Sequence, residues 1–531
     1  MRLRVCVAGV LVFAVLALLG GCGKGAQPPS PSQEAPGPAA PEAAGPKHGG
    51  VLRAVRGTFP KVLGYPPEHS PEDNTMSMAI TEKLLGWDRQ GNYVPILAES
   101  WDVDPENKTI TWHLRKGVKF HDGTDWNAEA LKWNYQLRLD TNTLPDGKYV
   151  KSLEVVDEYT LRMHLTEYNR MLLENYGWIQ MISPTAFESA GGGDREKAKE
   201  WARLHPVGTG PFKLAQYQRD TLIRFEKNPN YWRQGTPYLD AIEVRYVPDV
   251  MTAFAMMQAG EADMWMSTSA VDQVVQLEKM GFKVNRSPGF FWAILPNSND
   301  PKSPFADKRV REAIEYALDR EKIAEMVGHG QYEPLHQMAA SDYPGYVPNY
   351  YPRPYNPEKA KQLLAEAGYP NGFKTRILAQ ETARDAVTAI QGYLAAVGIQ
   401  AEIDIADQAR WYSQIFAQGW SDLAFSASGI NPNGTDIFVH FGPQPMTYRS
   451  GNIKKSDRFL ALCEEALHTY DDQQFVAKLK EVVKQASEDA MVIPVYRTPL
   501  VTVTQPYVHS EYGLVHTVLW EPWRDWMEER R

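Results

Sequence analysis

Cysteine is scarce: three in 531 residues. Cys6 stands in an apolar leader, Cys463 reads as a small buried residue of a helix (FLALCEEAL), and only Cys22 has a context that implies chemistry. No disulfide is therefore expected in the mature chain, whose stability must come from a large core. Basic excess is also lacking. Lys and Arg total 56 against 65 Asp and Glu, a formal charge of -9 spread without obvious blocks, which excludes the concentrated basic face that nucleic-acid binding needs. The longest apolar run, Val5 to Leu19, has fifteen residues, short of the ~20 that span a bilayer. G-x-S-x-G, H-E-x-x-H and Walker motifs are absent, and 65 carboxylates supply too many pairs for any one to signal acid/base chemistry. His329, His336 and His440 are isolated, without the short spacing of metal ligands. A secreted hydrolase is thus the weaker functional class, and no cofactor or metal is expected.

What is present is a chain long enough for two or three domains, 43% apolar and 23% charged, with 15 Trp and 26 Tyr. From Leu97 to Trp133 several local signals crowd together. Thr109 to Leu114 alternates around Ile110, Trp112 and Leu114, predicting a strand with one buried face, and Val118 and Phe120 continue the alternation beyond a Lys116-Gly117 turn. His121-Asp122-Gly123-Thr124 reads as a structural turn and not as a catalytic or metal pair. Asn127 then caps a helix carrying Ala130, Trp133 and Leu137. Further on, a helix is expected to end near Trp87, Leu153 to Leu165 forms a hairpin, Phe290 to Leu295 is a buried strand and Arg309 to Val327 is one helix. Thr375 to Leu378, Ala401 to Ile405 and Asp422 to Phe425 read as strands between the helices Ala386 to Val397 and Gln408 to Gln418. Alternating strands and helices predict an α/β fold with mixed sheets covered by helices.

The wording of that first span, LAESW, LRKGVKFHDGT and AEALKW, resembles the signature segment of the family 5 extracellular solute-binding proteins, the peptide, nickel and oligosaccharide receptors of ABC importers. HPVGTGPF with NPNYW, PFADKRVREAIEYALDR and YNPEKAKQLLAEAGYPNGF resemble the same family in the same order, so the likeness runs from Gly49 to the C-terminus. It implies a two-lobed periplasmic-binding-protein type II (Venus flytrap) fold: lobe I from 49–88, 206–295 and 497–531, an extra subdomain from 89–205, and lobe II from 296–496. The strand at Phe290 would cross between lobes, which close on the ligand about a hinge. Tyr65, Trp178, Trp292 and Gln380 would face the cleft by the same resemblance. Peptide receptors commonly carry an aspartate after the strand at Asp422. Here that segment reads Ser426 to Asp436 (SASGINPNGTD), with Gly429 or Asn431 where the acid is expected. Ser428, Gly429, Asn431 and Asp436 are therefore the candidate ligand contacts, suited to hydroxyl- or amide-bearing solutes as well as peptides.

Arg2 and Arg4 before Val5 to Leu19 form a secretion signal over residues 1–21, and Leu19-Gly20-Gly21-Cys22 resembles a lipobox that makes Cys22 the lipidated N-terminus. Gly23 to His48, with seven prolines and six alanines, reads as a tether. The chain is thus expected to be exported and lipid-anchored at the outer face of the cell membrane, or its periplasmic side, as a monomer. Its expected partners are a small solute (a peptide, an oligosaccharide or a nickel chelate) and the permease subunits of an ABC transporter.

Overall fold

The computed structural model describes residues 45–443, 451–516 and 519–530; Cys6, Cys22, the leader and nearly all of the tether lie outside them. Three larger sheets organise the described chain from Pro46 onward. Seven strands form the first, in the order Lys283–Arg286, Val501–Thr504, Met264–Thr268, Val51–Arg56, Ala241–Tyr246, Leu222–Lys227 and Phe212–Gln218. Its central strand is parallel to both neighbours, Val51 opposite Ala241 and Ala54 opposite Met264, whereas the outer pairs are antiparallel. Leu52 and Ala54 are buried on one side of that strand, and Asp263 anchors it. That carboxylate, with no exposed surface, accepts Arg53 Nη2 and Arg530 Nη2 at 2.8 Å each and the Tyr507 hydroxyl at 2.7 Å.

A four-stranded antiparallel sheet follows in the chain: Ala98–Asp104, Thr109–Leu114, Thr160–Leu165 and Val150–Asp157. Ile110, Trp112 and Leu114 are buried as their spacing predicts, and Trp112 sits opposite Trp101. The helix Ala128–Asp140 covers the sheet, capped by Asn127 Oδ1 accepting the Ala130 amide at 3.0 Å. Val118 and Phe120 do not prolong the strand; Lys119 and Asp125 make one isolated bridge before the turn. Asp122 is bound inside that turn, accepting the Thr124 amide at 3.0 Å and the Ser183 hydroxyl at 2.5 Å.

The blocks HPVGTGPF and NPNYW meet at a single carboxylate. Glu82 accepts the Tyr231 hydroxyl at 2.7 Å, the Trp232 indole at 2.8 Å and the Thr209 hydroxyl at 2.9 Å. Gly210 and Phe212 donate their amides to the Ile80 and Ala79 carbonyls, and a Cβ on Gly210 would stand 2.6 Å from Ile80 O. Those carbonyls are thereby taken from helical bonding. The helix expected to reach Trp87 accordingly stops at Ser77 (Pro71–Ser77), and Leu85–Trp87 becomes a short strand against Tyr93–Pro95.

Six strands build the third sheet: Glu333–Pro334, Ile493–Thr498, Phe290–Pro296, Leu423–Gly429, Phe373–Gln380 and Ile399–Ala406. Phe290–Pro296 lies wholly within it. The chain changes sheet just before that strand, at 287–289, and returns at 499–500, where the Ser287 and Leu500 backbones are joined at 3.0 Å. The expected helix Arg309 to Val327 is two helices, Lys308–Ala317 and Arg320–Gly328. Asp319 breaks it by capping the second, accepting the Lys322 amide at 3.0 Å.

Candidate functional site

The helix Arg170–Gly177 faces the segment that follows the strand Leu423–Gly429. Asn169 starts the helix by accepting the Met171 amide at 2.9 Å. Leu172 and Tyr176 fix one side in the core around the four-stranded sheet. Glu174, 5% exposed, points at that segment. It accepts Asn433 Nδ2 at 2.8 Å, the Thr435 hydroxyl at 2.9 and 3.0 Å, Asn431 Nδ2 at 3.1 Å and the Tyr93 hydroxyl at 3.4 Å. Desolvation raises its pKa, and the donated hydrogen bonds work against that rise.

Asp436 lies behind this group. Its Oδ1 accepts the Tyr343 hydroxyl and, at 3.3 Å, the Asn431 amide. Some of its side-chain surface still meets solvent, yet desolvation of the carboxyl, with Glu174 nearby, pushes its pKa up to about 8. Asn431 thus touches both acids, Glu174 through its side chain and Asp436 through its backbone. Beside them opens a cavity of about 540 Å³, lined by Tyr93, Trp101, Tyr168, Asn433 and Tyr470 among others; a volume of this order is typical of small-molecule sites. Arg170 crosses its floor, donating to Tyr470 O at 3.0 Å, pairing with Asp472 and lying 4.1 Å from the centre of the Phe475 ring.

Asn431 and Asp436 therefore come together with Glu174, Asn433, Thr435 and Tyr343, none of them a candidate from the sequence, whereas Ser428 and Gly429 end the strand Leu423–Gly429 opposite Phe291 and Phe290. Nothing in the sequence separates Glu174 from the other 64 carboxylates. Tyr65 lies apart, 1% exposed and stacked 6.1 Å from Phe187 in a separate apolar cluster. Trp292 points to the opposite face of its strand from Phe291. It stacks on Phe425 at 5.2 Å and donates to the Thr498 hydroxyl at 3.0 Å, whereas Phe291 shares a core with Met171. Gln380 ends the strand Phe373–Gln380 opposite Ala406. Trp178 closes the helix Arg170–Gly177 and packs 4.1 Å from Trp87.

His336 pairs with Glu321 at 2.8 Å and His329 with Asp272 at 3.5 Å. Among the described residues, no group of three or more His, Cys, Asp or Glu is arranged to hold a metal ion, and no helix is long and apolar enough to cross a membrane.

Residues 92–443 match the family model described as bacterial extracellular solute-binding proteins, family 5 middle. Among curated proteins, the chain is 33% identical over 428 residues to the glutathione-binding protein GsiB of Shigella flexneri, covering 75% of this chain and 80% of that one. It is 31% identical over 462 residues to GsiB of Salmonella typhi, covering 81% and 86%. Among solved structures, the periplasmic binding protein DppA of Helicobacter pylori, in complex with the peptide STSA, superposes with a TM-score of 0.78 at 24% identity over 91% of this chain and 99% of that one. The oligopeptide-binding protein AppA of Bacillus subtilis, in complex with a nonapeptide, gives 0.77 at 22% identity over 91% and 100%. At those identities the structural likeness speaks for the fold, that of type II periplasmic binding proteins.

Proposed function

The chain belongs to the family 5 bacterial extracellular solute-binding proteins, and on that premise we propose that it captures a small solute of the peptide class and presents it to the permease subunits of an ABC importer. The observation that carries the ligand class is Glu174. The segment 426–436 carries Gly429 or Asn431 at the position where a peptide receptor's aspartate would meet the α-amino group, and the helix across the crevice brings a buried carboxylate to the same place, 3.1 Å from Asn431. An acid against amide and hydroxyl groups, beside aromatic walls, suits an ammonium-bearing solute with amide bonds. The relatives named for glutathione, a tripeptide, agree in chemical class and size.

In this reading the two connections at 287–289 and 499–500 act as the hinge, and the contacts of Glu174 and Arg170 form on closure. Ser428, Gly429, Asn431 and Asp436 line the ligand side, with Trp178 as a wall; Tyr65, Trp292 and Gln380 support it from farther off. Cys22 carries the lipid that holds the protein at the outer face of the membrane, and the protein works as a monomer that releases its solute unaltered. A neutral solute such as an oligosaccharide is the second reading, favoured by the amides of Asn431 and Asn433.

A thermal-shift screen of glutathione, di- to pentapeptides, oligosaccharides and nickel chelates decides between them, because a ligand bound only by the folded state raises its stability by RT ln(1 + [L]/Kd). Peptides raising the midpoint, with calorimetry giving a matching affinity, is the expected result. A response confined to oligosaccharides would replace the first reading with the second, and a solute recovered chemically changed would end both.

A further inference from the structure

Lys83 follows Glu82 in the chain but shares none of its partners. Its side chain is 4% exposed, and Nζ, 3.1 Å from the centre of the Trp178 ring, has no hydrogen-bond partner among the described residues. It is the only lysine among the buried side-chain nitrogens and oxygens left in that condition there. Desolvation holds the Lys83 pKa well below the ordinary lysine value, because a buried ammonium without an acceptor is among the costliest orphans a protein interior can hold; the face of one indole offsets only part of that cost, and a carboxylate brought against Nζ would restore the charged form.

The surroundings repeat the pattern. Trp87 packs 4.1 Å from Trp178, and His516 lies 5.4 and 5.7 Å from the two indoles. Trp87 Nε1 and Trp178 Nε1 are also buried without acceptors. Burial pushes the His516 pKa down to about 3, so that ring is neutral and does not repel Lys83. Glu521 and Glu82 are the acids on this side. Glu521 is bonded at 3.0 Å to Arg524, and Glu82 is occupied by Thr209, Tyr231 and Trp232. Lys83 also lines a cavity of about 40 Å³ with Thr81, Ile96, Pro211, Glu521 and Trp523, room for a water molecule or a small polar head but not for a whole solute.

Donors therefore gather here in excess of acceptors, and Trp178 remains partly exposed. We propose that Lys83, walled by Trp178 and Trp87, is a subsite for the carboxylate of the bound solute. This rests on the solute-binding reading and refines it. The Trp178 amide donates to Glu174 O at 2.9 Å, so Glu174 and the Lys83 wall stand about one helical turn apart, about 6 Å along the axis. An acid and an amine at that spacing suit the two ends of a small zwitterion, whose own charges would favour the ionised form of each.

The test uses trialanine and its C-terminal amide as probes, with acetate at constant ionic strength as a third, on the mature wild-type protein and on Lys83→Met and Lys83→Arg. The wild type is expected to bind trialanine at least about tenfold more tightly than the amide, the size of a hydrogen bond to a charged group. That preference collapses in Lys83→Met and survives in Lys83→Arg. Should Lys83→Met prove insoluble, Lys83→Gln takes its place. A wild type that does not prefer the free carboxylate, or a preference unchanged in Lys83→Met, overturns the subsite. If neither form of trialanine binds, acetate decides. A midpoint rise in wild type that is lost in Lys83→Met keeps the carboxylate subsite while the peptide reading falls, and equal rises in both proteins overturn the subsite.

Discussion

Asn433 donates its side-chain amide to Glu174 Oε2 at 2.8 Å across 259 residues of sequence. Asn431, Thr435 and the Tyr93 hydroxyl donate to the same carboxylate, so truncating it takes the acceptor from four donors at once. Glu174→Ala is expected to cost about 2–4 kcal/mol in urea unfolding, the order of one buried, charge-assisted hydrogen-bond group with its partners left unsatisfied. The same variant should scatter X-rays as a more open particle in the absence of solute. Glu174→Gln keeps one acceptor oxygen but turns a donor toward donors, and is expected to recover only part of the loss. A Glu174→Ala protein with wild-type stability and scattering would show that this contact does not hold the crevice shut.

Asp436 adds a pH dependence to the same place. Its folded-state pKa, pushed up by desolvation to about 8, exceeds the ordinary aspartate value of about 3.9. A raised pKa means the protonated form is favoured in the folded state, so the stability it contributes is complete below about pH 4 and is lost as pH rises through about 8. Thermal midpoints between pH 5 and 9 should therefore fall more steeply in wild type than in Asp436→Asn, which cannot titrate and keeps an oxygen for Tyr343 and for the Asn431 amide. Parallel curves for the two proteins would place the titration elsewhere.

The alternation of Ile110, Trp112 and Leu114, the Asn127 cap and the strand-helix alternation after Phe373 were readable because each is local: period, cap and breaker lie within a few residues. The face of the strand that Trp292 takes was not readable, for a related reason. FFWAIL is apolar throughout, so no polar alternation says which side chains share a face, and a shift of one residue exchanges the two faces. The stop at Ser77 depends on amides from 210–212, and the acid of the crevice comes from a helix more than 250 residues before its partners. Neither carries a mark in its own neighbourhood.

The two connections between the sheets, proposed above as a hinge, make a steric prediction. Gly289 has φ +78°, and a Cβ there would stand 1.7 Å from Thr498 O, so the two connections approach closely enough to exclude any side chain. Gly289→Ala combines an unfavourable left-handed backbone with a forced displacement of the neighbouring strand, and is expected to lower stability by more than about 2 kcal/mol. Differential scanning calorimetry measures it. A midpoint within a degree of wild type would mean that the two connections move apart at little cost.

Asp263 tests whether the anchor at the far end of the chain holds the first strand. Burial of its carboxyl opposes ionisation, but hydrogen bonds from Arg53, from the Arg53 backbone and from Tyr507 outweigh it and leave the pKa below the ordinary aspartate range. A lowered folded-state pKa contributes stability that is present above about pH 4 and lost as pH falls through the folded value. Arg53 and Arg530 are partly exposed, and solvent screening discounts the full cost of breaking a buried pair. Asp263→Asn is therefore expected to lose about 2–3 kcal/mol at pH 7 and much less at pH 3, where wild type has itself lost the charge. A deficit of equal size at both pH values would assign the effect to packing of the amide and not to the charge that binds Arg53 and Arg530.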